Sequence, residues 1–135
     1  MTITRRILVA SAILVAGCAK PGVPRTNLLP ESLGVWRRTA LQEVSNPADT
    51  DVIPRGSIRR VQKARYEGAG NADVTLYELT SSAAALDAVQ RWRPAPDTVF
   101  FYRDEFFVVV KYQDAERKAL NALVRDLDKH LTPPK

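Results

Sequence analysis

The chain has 135 residues, with 20 lysines and arginines against 15 aspartates and glutamates, one cysteine and one histidine. That length suits one small domain with one core. A single cysteine excludes an internal disulfide, and with one histidine beside it the chain has too few ligands for a Cys/His zinc centre.

The first segment carries Arg5 and Arg6, followed by an uncharged run from Ile7 to Ala16. A helix of about ten residues spans about 15 Å, half of a hydrocarbon core, so the run is too short to cross a membrane. It has the layout of a signal peptide: a basic start, an apolar centre and small residues at the end. The end is Val15-Ala16-Gly17-Cys18. This box, at 15–18, resembles the lipobox of bacterial lipoproteins. The resemblance implies that residues 1–17 are a lipoprotein signal peptide and that the Cys18 thiol carries a diacylglyceryl group. It further implies cleavage before Cys18 and acylation of the new amino group. Each buried methylene contributes roughly 0.8 kcal/mol and a single acyl chain holds only marginally, so two or three chains on Cys18 would anchor the protein firmly. Ala19 follows the cysteine where a retained inner-membrane lipoprotein would carry Asp. The address implied is the cell membrane or outer membrane, with the domain facing the periplasm or exterior.

Cleavage removes Arg5 and Arg6 and no acid, so the exported part is only mildly basic despite a pI near 9.7 for the whole chain. Residues 18–30 hold Pro21, Gly22, Pro24 and Pro30 and few core-forming side chains, the composition of a lipidated tether. A single α+β domain is expected over residues 31–135.

Within it, Val35–Val44 reads as a first strand. Ser45–Gly56, with Asn46-Pro47, Pro54 and Gly56, reads as a long loop, mobile or functional. Ser57–Lys63 stays ambiguous between a capped helical turn and a strand. Ala64–Glu67 looks extended, Gly68-Ala69-Gly70-Asn71 is a turn, and Ala72–Thr80 is rich in strand formers. Ser81 and Ser82 can cap a helix from Ala83 to about Trp92, in which Ala85, Val89 and Trp92 share a face, and Pro94 and Pro96 stop it. Thr98–Tyr102 is a strand, Arg103-Asp104-Glu105 a tight turn, and Phe106–Tyr112 a strand apolar on both faces and therefore central. Asp114 is a candidate cap for a last helix carrying Leu120, Leu123, Val124, Leu127 and Leu131 at helical spacing. The order is β-ββα-ββα. Short hairpins imply a mostly antiparallel sheet, and one apolar face per helix suggests a two-layer sandwich with both helices on one face. From Tyr66-Glu67-Gly68 through Tyr77 and Trp92 to Phe107, the mature part is similar to small bacterial lipoproteins of a domain-of-unknown-function type. That resemblance implies no activity.

Signals for chemistry are few. His130 falls in the last helical turn, where a partial positive charge is welcome, so a helix-end residue accounts for it better than a general base does. The glycines at 68 and 70 lack the Lys-Ser/Thr of a phosphate loop. Asp126 and Asp128 do not share a helical face. Asp49 and Asp51 flank a loop threonine, too few ligands for a calcium site. No catalytic residue, metal or cofactor is assigned.

Two features remain. Phe100 and Tyr102 are candidate partner contacts on an open sheet face, unless the 45–56 loop covers them. Arg55, Arg59, Arg60, Lys63 and Arg65 form a basic run without an acid, a candidate anion-binding segment or a solvated strand edge that discourages aggregation. An exported protein meets phospholipid headgroups and anionic envelope polymers rather than nucleic acid. The expected function is a lipid-anchored, non-catalytic envelope binding or scaffold module, held to the membrane through Cys18 and contacting an envelope protein or anionic polymer. The alternative is an accessory lipoprotein that binds a small molecule between sheet and helices.

Overall fold

The computed structural model describes residues 28–45 and 52–132. The signal segment, Cys18, most of the tether, and Asp49 and Asp51 lie outside the described residues. The elements are β1 (Ser32–Leu33), β2 (Trp36–Val44), a 3-10 turn (Arg55–Ser57), β3 (Ile58–Gly68), β4 (Gly70–Leu79), α1 (Ser82–Arg91), β5 (Thr98–Arg103), β6 (Phe106–Gln113) and α2 (Arg117–Leu131). The fold is α+β, one six-stranded sheet in the order β1-β2-β3-β4-β6-β5 with every neighbouring pair antiparallel. The ambiguous stretch 57–63 resolves into the turn and the start of β3, which lengthens that strand from the expected Ala64–Glu67 to 11 residues.

β4 and β5 each run antiparallel to β6, which lies between them. The path β4-α1-β5 is therefore a crossover between parallel, non-adjacent strands, and it carries α1 across one face. The tight turn at Asp104, in the left-handed region at φ 52°, then brings β6 back into the gap.

The two helices pack on opposite faces, not on one. Side chains alternate along β6. Phe106, Val108 and Val110 join the buried cluster that contains Leu120, Leu123, Leu127 and Leu131 of α2. Phe107, with Val109 at its margin, joins a second cluster with Ala85 and Ala88 of α1. A strand apolar on both faces needs a cover on each, and a helix supplies each one.

The α2 face holds most of the core. Trp36 and Tyr66 are fully buried there, and both are tied down: Trp36 Nε1 donates to the Ala119 carbonyl at 3.0 Å, and the Tyr66 hydroxyl to the Pro30 carbonyl at 2.5 Å. Leu28 and Leu29, placed in the tether by composition, are 2% and 1% exposed in this core. Arg38 Nη1 donates to the Leu29 carbonyl at 2.5 Å. The domain therefore begins before residue 31, because two buried leucines, with the Leu29 and Pro30 carbonyls anchored, outweigh the prolines around them.

Caps follow side-chain reach. Ser81 Oγ accepts the Ala84 N–H at 3.1 Å, as its position before the helix predicts. Asp114 does not cap α2. It takes φ 54° at the end of β6, and Glu116 stands at the cap position without a side-chain bond. At the β3–β4 hairpin Gly70 has φ 118°, and a Cβ there would collide with the Asp114 carbonyl oxygen, so only glycine fits. Among the described residues no helix is long and apolar enough to cross a membrane.

Candidate binding groove on the open half of the sheet

α1 is short, and its two fully buried residues are alanines, so it sits close to the sheet and covers a narrow strip. Beneath it Phe107 gathers the aromatic rings. Its centroid lies 5.0 Å from Trp92, 5.9 Å from Tyr77 and 6.2 Å from Phe100. These are separations at which tilted rings attract. Ile53, from the far end of the long loop, is buried in the same cluster. Burial pushes the Tyr77 hydroxyl above its usual pKa.

Past Trp92 the same face is uncovered. Register sets its floor. Gln42, Lys63, Thr75 and Val109 lie side by side on successive strands, and Ala40, Arg65, Asp73 and Lys111 form the next row. The result is an open groove of about 680 Å³, with Tyr77 and Trp92 at its α1 end. Arg65 is occupied: Nη1 lies 3.3 Å from Asp73 Oδ1, and Nε lies 3.6 Å from Glu67 Oε2. Lys63 and Lys111 are exposed and have no hydrogen bond or ion pair among the described residues.

The basic run is divided by strand alternation. Lys63 and Arg65 point into the groove. Arg60 points to the other face, where Nε donates to Glu43 Oε2 at 2.9 Å and Nη2 to Glu43 Oε1 at 2.9 Å. That paired hydrogen bond holds the Glu43 carboxyl below its usual range and the Arg60 guanidinium above its own. Gln62 Nε2 donates to Glu43 at 3.1 Å, and the buried Gln62 Oε1 has no hydrogen-bond partner among the described residues. Arg59 stands exposed at a register shift between Ile58 and Arg60, and Arg55 is exposed on the 3-10 turn. The five residues do not form one patch.

Of the two aromatic candidates, Phe100 is half-buried under α1, and Tyr102, 39% exposed on the edge strand β5, stays accessible. His130 falls in the last turn of α2. No group of three His, Cys, Asp or Glu side chains gathers as a metal site among the described residues.

Sequence reasoning passed over Gln42, Asp73, Thr75 and Lys111. One signal for Lys111 was present: it lies four residues beyond Phe107, hence on the same face, where the apolar run of β6 ends. No local signal places Lys111 beside Asp73, because that depends on strand register. Compared with family models, curated proteins and solved structures, the chain matches none.

Proposed function

We propose that this chain is a bacterial lipoprotein: a lipid-anchored cell-envelope protein whose folded domain is a non-catalytic binding module. The observation that supports the binding role is the open groove, whose floor presents Lys63 and Lys111 without partners beside an aromatic wall. The anchor rests on Val15-Ala16-Gly17-Cys18 directly after the apolar run, and Ala19 favours the outer membrane. A second reading, an accessory lipoprotein that takes a small molecule between sheet and helix, is favoured by one observation: the groove runs up to Tyr77 and Trp92 at the end of α1. In either case the lipid holds the domain within about 35 Å of the bilayer, the reach of a tether of about ten residues.

The test is metabolic labelling of the full chain with a palmitate analogue in a Gram-negative host. The expected result is a labelled, membrane-associated product, and an unlabelled precursor of full length for Cys18→Ser. A wild-type chain that takes no label, or a Ser variant that labels equally, overturns the anchor.

A further inference from the structure

The groove presents more than positive charge. In register across β2, β3, β4 and β6 it offers the Thr75 hydroxyl and the Asp73 carboxylate between the two lysines that lack partners among the described residues, and the Gln42 amide on the far side of Lys63. From strand spacing and rise, the Lys63 and Lys111 Cα atoms are about 12 Å apart, two strands over and two residues along. Such a pair suits anionic groups carried on separate units of an extended chain rather than one compact anion.

The acid in the floor discriminates among anions. Asp73 lies next to Lys111 in register and bonds Arg65, and Glu67 lies one row further on. A phosphate-dense polymer would bring charge against both carboxylates, and like charges at such range repel. Phosphate sites also favour arginine forks, and here Arg65 is already engaged. A flat bilayer meets protruding side chains rather than the floor of a groove. A sugar chain with spaced carboxylates avoids these conflicts. Its hydroxyls donate to Asp73 and to the Gln42 oxygen and accept from Thr75 and the Gln42 nitrogen. Its carboxylates meet the lysines, and its apolar ring faces meet Trp92 and Tyr77.

We infer that the groove binds an anionic saccharide chain, with its carboxylates at Lys63 and Lys111 and its hydroxyls at Gln42, Asp73 and Thr75. This rests on the binding-module reading and deepens it by naming the ligand class.

The experiment titrates the full chain in non-ionic micelles with a short oligogalacturonate, using calorimetry and tryptophan emission. Trp92 borders the groove, whereas Trp36 is buried on the opposite face, so a ligand-dependent emission change reports on Trp92. Binding should weaken about tenfold or more in the double variant Lys63→Gln, Lys111→Gln and persist in Lys63→Arg, Lys111→Arg. It should be unchanged in Arg59→Gln and fall about tenfold for the methyl-esterified oligomer. It should also fade near physiological salt, where the Debye length is about 8 Å. Equal binding by the esterified oligomer, or by the Gln double variant, overturns the inference. Anionic vesicles or a polyglutamate peptide that bind through the two lysines where the oligogalacturonate does not would overturn the saccharide while leaving the binding module standing. If none of these ligands depends on the two lysines, both fall, and the Cys18 labelling result is unaffected.

Discussion

The two faces of the sheet are built differently. The α2 face is closed: four leucines of a 15-residue helix, together with Trp36, Tyr66, Leu28 and Leu29, leave its centre without solvent. The α1 face is closed at one end only, where a 10-residue helix lays Ala85 and Ala88 on Phe107 and Leu79. The comparison shows how a small domain can be stable and still present a shaped polar surface. Stability is concentrated on one face. On the other, small helix residues limit the cover, and the strand ends beyond it are free to carry lysine, threonine and glutamine.

The contrast can be broken first on the closed face. Leu123→Ala and Leu127→Ala should each cost about 2–5 kcal/mol, the usual range for a buried leucine. Thermal midpoints within a degree of wild type would mean that α2 does not hold the core. On the α1 face, Ala88→Leu should cost about 1–3 kcal/mol by overpacking against Phe107, and it should shift the Trp92 signal while leaving that of Trp36 unchanged. A neutral result in denaturant melts would show that α1 does not sit close to the sheet.

Smaller effects sharpen the picture. Tyr66→Phe should cost about 1–2 kcal/mol, because it leaves the Pro30 carbonyl without its donor. Burial raises the pKa of the Tyr66 hydroxyl. Its contribution is therefore full below the ordinary tyrosine value of about 10 and declines as pH rises above it, since the unfolded chain ionises first. Alkaline melts should show that decline reduced in the Phe variant. Glu43 has the opposite sign. Its pKa is lowered chiefly by the hydrogen bonds from Arg60, so its contribution is present above the ordinary glutamate value of 4.5 and lost as pH falls through the lower folded value. The pair is partly exposed and worth under about 1 kcal/mol. Acid melts of Glu43→Gln should lack that last part of the decline. Least of all, Lys63→Gln with Lys111→Gln should move stability by less than about 0.5 kcal/mol. A larger loss in melts would mean that these lysines support the fold rather than face a ligand.

Much of this protein is written locally. Strand and helix positions follow from side-chain periodicity and turn residues, which act over a few neighbours. The Ser81 cap, the Gly68–Gly70 hairpin and the interior place of "FFVVV" were all legible in that way. The proposed lipobox is likewise a reading of contiguous sequence, and the labelling of Cys18 tests it. The apolar character of β6 on both faces even contained the answer about the helices, but the side each helix takes depends on where the crossover from β4 to β5 travels. Only the tertiary structure decided that. It also drew Leu28 and Leu29 into the core through the carbonyl bonds of Arg38 and Tyr66, and it divided the basic run between two faces. Register across four strands then set Lys111 beside Asp73 and Lys63 beside Thr75. Those pairings join residues far apart in the chain, and their geometry is set by the whole sheet at once, which is why the groove could not be read from any one stretch of it.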